Sequence, residues 1–215
     1  MITLYHCANA RSFRVLWALE ELELPYELRM LPFPPRFLAR DYLEINPLGT
    51  VPFLIDGETR MTESAAICHY LAARQESGLA VAPHEPGFGA YLNGLFQGEA
   101  TLTFPQTVVI RFSRWREDQN KPDVAAEYSR WFKARLRMAE AILADADYYA
   151  ADRFTMADIS VGYALMLAKA LGLDDGFPEQ LRRYWSRLSS RPAFLRAQES
   201  QAKAGEEQGV PGSFI

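Results

Sequence analysis

The sequence predicts an α/β domain with the element order β-α-β-α-β-β-α followed by an all-α helical bundle, and three observations carry that reading. Up to residue 78, short runs with strand-like alternation exchange with helically spaced apolar residues. Residues 79–87, Leu-Ala-Val-Ala-Pro-His-Glu-Pro-Gly, break both patterns and read as a linker. Beyond them only helical periodicity is found. The predicted domains are therefore residues 1–78 and 87–204.

Residues 2–6 form the first β-leaning run. Phe13, Leu16, Trp17 and Leu19 then take helical spacing over 12–23, and residues 26–31 return to strand after Pro25, which completes a βαβ unit. Past the prolines at 32, 34 and 35, a short helix around 37–43 leads to the turn Asn46-Pro47-Leu48-Gly49 and a third strand over 51–55. Asp56-Gly57 closes a tight hairpin onto a fourth strand at 59–61, and Thr62 is placed to cap a helix carrying Ile67, Tyr70 and Leu71. In the second domain helices are expected over 91–116, 124–144, 156–171, 179–189 and 193–202. Thr155 stands at the N-cap and Asp158 at N3 of the third of these, with Phe154 and Ile159 as a hydrophobic staple, which assigns Asp158 a structural role. Residues 205–215 read as a loose tail.

With 215 residues, 49% hydrophobic and 23% charged, the chain has the make-up of a globular protein able to bury a core. Its net charge of −4 argues against a nucleic-acid binder, whose affinity comes from cationic contacts to phosphate. No long apolar run and no basic leader point to a membrane, so a cytoplasmic protein is expected. Cys7 and Cys68 read as thiols, and His6, His69 and His84 have no ligand-like spacing, so no metal is expected.

Pro52 would remove a ladder hydrogen bond from a central strand. A cis Val51-Pro52 bond would bend the strand end outward and leave the Val51 amide and carbonyl for an extended, peptide-like ligand; an edge strand with a trans proline is the alternative. Glu63 and Ser64 open a helix, where unpaired N–H groups favour an anion. Ser64 would then hold a carboxylate and Glu63 an ammonium group, or both would serve only as caps. Together these positions suit the zwitterionic end and amide backbone of a γ-glutamyl-cysteinyl ligand.

Leu4-Tyr5, Arg14-Val15-Leu16-Trp17 with Leu19-Glu20-Glu21, Leu24-Pro25-Tyr26-Glu27, Asn46-Pro47-Leu48-Gly49-Thr50-Val51-Pro52-Phe53-Leu54, Thr62-Glu63-Ser64-Ala65-Ala66-Ile67 and Phe154-Thr155-Met156-Ala157-Asp158-Ile159 span most of the chain. In sequence and order they resemble the cytosolic glutathione transferases. The subgroup they most resemble is the bacterial and fungal one with a Ser-Arg-Ser-like first loop, here Ala10-Arg11-Ser12. The resemblance implies a thioredoxin-like first domain, glutathione bound as co-substrate along the seam between the domains, and a homodimer. In that dimer the helix beginning near Glu63 and the long helix over 91–116 would lie at the interface, with Gln97 or Glu99 reaching the partner's γ-glutamyl site.

By the same resemblance Val51 beside cis-Pro52 would hold the cysteinyl backbone, and Glu63 with Ser64 the γ-glutamyl group. Thr50 stands where the family often has a long polar residue before Val-Pro, so Arg36 or Arg40 would meet the glycyl carboxylate in its place. Where several classes place a catalytic serine, this chain has Asn9; Tyr5 lies where other classes carry a tyrosine.

Lowering a thiol pKa by two units takes roughly 2.7 kcal/mol. A helix N-terminus supplies about 0.3–1 kcal/mol and a hydrogen bond to the charged form about 1.5–3 kcal/mol, so one side-chain donor is required. Asn9 and Ser12 are the first candidates, Tyr5 the third, with Arg11 as a nearby positive charge. Each has a purely structural alternative: Asn9 or Ser12 as helix caps, Tyr5 as a core residue, Arg11 as a solvated side chain. Cys7 would form a mixed disulfide with glutathione only if exposed, and its place near a strand end favours burial. Phe104, Val108, Arg111, Phe112 and Trp115 would line an electrophile site, or simply pack against a neighbouring helix.

The expected activity is that of a glutathione transferase attacking a small hydrophobic electrophile. The alternatives are a non-catalytic binding or regulatory dimer of the same fold, and a glutathione-dependent isomerase or ether-cleaving enzyme.

Overall fold

The computed structural model, which describes residues 1–114, 117–210 and 212, begins with β1 (Ile2–His6), a strand that buries Ile2, Leu4 and His6 on one face. The chain then forms α1 (Phe13–Glu21), β2 (Tyr26–Met30), the short α2 (Pro35–Leu38), a 3₁₀ turn at Arg40–Glu44, β3 (Phe53–Asp56), β4 (Thr59–Met61) and α3 (Ser64–Arg74). This is the expected β-α-β-α-β-β-α order. The sheet runs β2-β1-β3-β4, with β2 parallel to β1, β3 antiparallel to β1 and β4 antiparallel to β3.

Two details differ from expectation. The Val51-Pro52 bond is cis, as expected, but the third strand begins only after it, at Phe53 and not at residue 51. The N-cap of α3 is Glu63, extended at φ −86° and ψ 111°, and neither it nor Thr62 caps the helix through its side chain.

The chain divides into two units, Met1–Ala80 with the chain from Ser190 onward, and Val81–Ser189. The second unit is helical: α4 (Phe88–Phe96), a π-helical segment (Gln97–Thr103), α5 (Phe104–Ser113), α6 (Pro122–Ile142), α7 (Met156–Ala170) and α8 (Glu179–Ser189). The central α7 is buried from Met156 to Ala168. Its N-terminus carries the expected capping box, with Thr155 N–H donating to Asp158 Oδ2 at 2.7 Å and Ala157 N–H to Thr155 Oγ1 at 3.3 Å.

The single helix expected over 91–116 is instead two α-helices joined by the π-helical segment, and the reason lies in α7. A Cβ at Gly98 would come 2.4 Å from Ser160 Oγ, so α7 presses directly on that backbone. The Ser160 hydroxyl donates to Leu95 O at 2.7 Å, and Thr103 Oγ1 donates to Gly98 O at 2.7 Å, so side chains occupy carbonyls that a regular ladder would use. Pro105, near the start of α5, has no N–H to offer that ladder.

The last helix, α9 (Pro192–Glu207), belongs to the first unit although the sequence pattern groups it with the helical domain. Phe194 meets Phe13 and Trp17 edge-on at 5.5 and 5.0 Å. Arg191 grips both oxygens of Glu21 at 2.6 and 2.8 Å, and Arg196 donates to Glu20 at 2.9 Å. The expected tail from residue 205 begins as helix, and Gln208 beyond it is tied to the outer edge of β2. Met30 N–H donates to Gln208 Oε1, and Gln208 Nε2 donates to Leu28 O, both at 2.9 Å. An edge strand with open N–H and C=O groups is the kind of surface such a side chain satisfies.

Candidate functional site

Strand register decides which loops meet. Tyr5 pairs with Phe53, Leu54 with Met61 and His6 with Met30, so four segments leave one end of the sheet. These are the loop after β1, the segment after β2 that leads to Arg36, the Val51–Pro52 step before β3, and the Thr62–Ser64 step after β4. All lie in the first unit.

The loop after β1 is held by backbone turns from Ala10 N–H to Cys7 O at 3.0 Å and from Phe13 N–H to Ala10 O at 2.8 Å. Ser12 is fully buried at the N-cap of α1 and makes no cap bond. Its hydroxyl bridges the end of β1, accepting from Cys7 N–H at 3.3 Å and lying 3.4 Å from Cys7 O. Asn9 is half-buried with φ +59°, a left-handed conformation that asparagine tolerates better than most residues. Its N–H donates to Gln201 Oε1 at 3.0 Å, and its Oδ1 accepts from Gln201 Nε2 at 2.8 Å. Arg11 is half-buried beside it.

Tyr5 packs its ring on Tyr42 at 5.3 Å and Phe53 at 6.0 Å. Cys7 is 1% exposed, and burial pushes its thiol up to about 12, as it does for the buried Cys68. Both are poor nucleophiles in the folded protein. Burial also lowers His6 to about 4, so the ring is neutral; its Nε2 lies 3.1 Å from Gln201 Oε1.

The loop before β3 is built by Asn46. Its Oδ1 accepts from Leu48 N–H at 3.2 Å and its Nδ2 donates to Thr50 O at 2.9 Å, while Tyr42 OH donates to the same carbonyl at 2.8 Å. Gly49 turns at φ +58°, and a Cβ there would lie 2.6 Å from Arg36 Cβ. This ties Arg36 to the loop; its guanidinium covers the Phe37 ring at 4.8 Å. Thr50 and Arg40 are exposed, and Val51 is half-buried.

At the start of α3, Ser64 is 3% exposed, whereas Glu63 faces solvent. Arg14, fully buried on α1, donates from Nη1 to Ser64 Oγ at 3.1 Å. Arg14 and Gln201 are the two site elements missed by sequence reasoning. A charge at position 14 within an otherwise apolar helix face is a signal that could have found the first; a lone glutamine on a polar helix gives none for the second.

In the second unit, Phe104, Val108, Arg111 and Phe112 run along α5. Phe104 is 48% exposed, and its ring lies 6.5 and 6.4 Å from Tyr128 and Trp131 on α6. Arg111 and Lys121 both approach the Phe112 ring. Trp115, and Arg116 after it, lie outside the described residues. Gln97 turns inward and accepts from Tyr149 OH at 3.0 Å. A groove of about 730 Å³ is lined by Phe96, Ala100, Arg135 and Met138, among others. Among the described residues no His, Cys, Asp and Glu cluster is placed to share a metal ion, and no helix is long and apolar enough to cross a membrane.

Residues 10–74 match the family model of the glutathione S-transferase N-terminal domain, and residues 105–192 that of the C-terminal domain. Glutathione S-transferase 3 of Schizosaccharomyces pombe is 27% identical, the match covering 93% of this chain and 87% of that protein. Glutathione S-transferase 1 of the same yeast is 30% identical over 72% of this chain and 70% of its own length. Among solved structures, the glutathione transferase URE2P6 of Phanerochaete chrysosporium, crystallised with oxidized glutathione, superposes with a TM-score of 0.82 at 26% identity, covering 94% of this chain and 97% of that one.

Proposed function

Since the chain belongs to the glutathione S-transferase family, we propose that it binds glutathione at the sheet end of its first unit and activates the thiol for attack on a small hydrophobic electrophile. The observation that carries this reading is the shared register, which gathers the Asn9 loop, the Val51–cis-Pro52 step and Ser64 at one end of four strands.

Val51 offers its backbone to the cysteinyl residue. Ser64 and the open N–H groups of α3 take the γ-glutamyl carboxylate, and the exposed Glu63 takes the ammonium group. Thr50, Arg36 and Arg40 stand by the glycyl end.

Among the donors to the sulfur, Asn9 is favoured over Ser12, because Asn9 is only half-buried whereas Ser12 is fully buried beneath the loop. Tyr5 holds the third place, and Arg11 adds positive charge near the loop. One amide donor contributes about 1.5–3 kcal/mol toward the thiolate, more than the N-terminus of α1 alone. Catalysis follows from thiolate stabilisation and positioning. Phe104, Val108, Arg111 and Phe112 on α5 are the residues proposed to meet the electrophile, and the protein acts in the cytoplasm.

We assign a homodimer to this enzyme, with the groove at Phe96 and Met138 covered by a second copy. Those side chains are 58% and 56% exposed, large apolar groups left in water on the isolated chain.

Calorimetric titration with glutathione across pH, with Asn9→Ala and Ser12→Ala alongside, tests the reading. Saturable binding with proton release near neutral pH, lost in Asn9→Ala and kept in Ser12→Ala, is the expected result. No binding at millimolar glutathione would sink it and leave the fold to a regulatory or partner-binding role.

A further inference from the structure

Gln201 lies 192 positions from Asn9 in sequence, yet its side-chain amide pairs with both the backbone N–H and the side chain of Asn9. Gln201 is 5% exposed on the inner face of α9. Its Oε1 accepts from the Asn9 backbone N–H at 3.0 Å and also meets the His6 ring at 3.1 Å. Its Nε2 donates to Asn9 Oδ1 at 2.8 Å and to Gln198 Oε1 at 3.2 Å.

Oxygen and nitrogen of a side-chain amide look alike, so their assignment has to come from partners of known polarity. Here one partner is a backbone N–H, which only donates. The atom of Gln201 facing it is therefore the oxygen. The other end of Gln201 is then the NH₂ group, and the Asn9 atom facing that group must be an acceptor. Asn9 thus turns its Oδ1 to α9 and its own NH₂ away from it. With that oxygen fixed by the Asn9 N–H, the neutral His6 ring 3.1 Å away is compatible with it as the tautomer protonated at Nε2.

We infer that Gln201 is a positioning residue for the thiol of bound glutathione: it fixes the Asn9 loop and turns the Asn9 carboxamide so that its NH₂ group, not its oxygen, is presented to the sulfur. This rests on the reading of Asn9 as the sulfur's donor. An unclamped asparagine could present either end, and a carbonyl oxygen beside a thiolate would repel it. The direction of one amide thereby decides whether the loop after β1 stabilises the thiolate or opposes it.

The test follows the thiolate absorbance of enzyme-bound glutathione against pH in Asn9→Ala, Gln201→Glu, Gln201→Met and the double variant Asn9→Ala/Gln201→Glu. S-methylglutathione affinity and melting temperature are measured beside it. Asn9→Ala is expected to raise the bound thiol pKa by about 1–2 units, the effect of one hydrogen bond to a charged acceptor. Gln201→Glu keeps an acceptor for the Asn9 N–H but has no donor for its Oδ1, so the carboxamide turns over. A rise of similar size is expected, with S-methylglutathione affinity nearly unchanged and no further rise in the double variant. Gln201→Met removes both bonds without adding charge and leaves the carboxamide unclamped, so a smaller rise is expected from it, which keeps the inference testable should the glutamate variant not fold.

A shift in Asn9→Ala with a wild-type thiol pKa in both Gln201 variants would overturn the inference alone and make Gln201 a structural clamp. No shift in Asn9→Ala would overturn the donor reading and the inference with it. Additive shifts in the double variant would show that the effect of Gln201→Glu comes from the introduced carboxylate and not through Asn9, which also overturns the inference.

Discussion

The Arg14 guanidinium, fully buried on α1, donates to the Ser64 hydroxyl at the first turn of α3 over 3.1 Å. It carries a formal charge to the place where the γ-glutamyl carboxylate is proposed to bind. Ser64→Ala is expected to cost about 1–3 kcal/mol of stability, since it takes an acceptor from a buried charged donor. Glutathione affinity should fall with it, and Ser64→Thr should restore both. Urea melts and calorimetry read the two effects; an alanine variant as stable as wild type would mean that the other contacts of Arg14 suffice.

Cys7 stands beside the proposed site, but its thiol and that of Cys68 are both buried and pushed up to about 12. A disulfide reagent at about pH 8 should leave both unlabelled in the native protein and modify both after unfolding. Rapid labelling of Cys7 in the native state would revive a thiol-transfer chemistry at this loop.

Two buried groups give opposite pH dependence. Burial depresses His6 from 6.5 to about 4, so its share of stability is present above pH 6.5 and lost as pH falls toward 4. Burial raises Asp158 from 3.8 to about 6 despite donors from Tyr149, Thr155 and Tyr184, so its share is present below 3.8 and lost as pH rises through 6. Between these limits the slopes oppose each other. Denaturation midpoints measured through that window should fall more steeply on acidification in Asp158→Asn than in wild type, and less steeply in His6→Gln. Parallel profiles for all three proteins would refute the assignment.

Gly98 carries the contact between the π-helical segment and α7. Gly98→Ala places a methyl 2.4 Å from Ser160 Oγ and 2.5 Å from its backbone carbon, and backbone cannot rotate aside. A loss of about 1–3 kcal/mol or more is expected, read by thermal melting. Gly57, with nothing within 4 Å of its missing Cβ, is the comparison: there only its φ of +60° resists substitution.

What was legible in the sequence follows from how local its cause is. The order of elements in the first unit, the cis-Pro52 step and the Thr155–Asp158 box are written in residues a few positions apart, and each appears as expected. The interruption of the helix at Gln97–Thr103 is not, because its apolar spacing reads as a continuous helix and its cause, Ser160, lies on another helix. At the candidate site, Val51, Glu63 and Ser64 are singled out by their turn and helix-start chemistry, and the register brings their segments to one end of the sheet. The engagement of Ser12 with Cys7 and of Asn9 with Gln201 depends on folded contacts that no spacing encodes.

The return of α9 to the first unit has a consequence for how the protein is made. On a ribosome adding about 5–20 residues per second, the 121 positions from Ala80 to Gln201 take roughly 6–24 s to appear. Throughout that interval the nascent sheet exists without the helix that covers Trp17 and holds Asn9. The loop that carries Asn9 is therefore among the first parts synthesised and the last to be secured, and a chain released early would expose an apolar face to chaperones before it could bind its co-substrate.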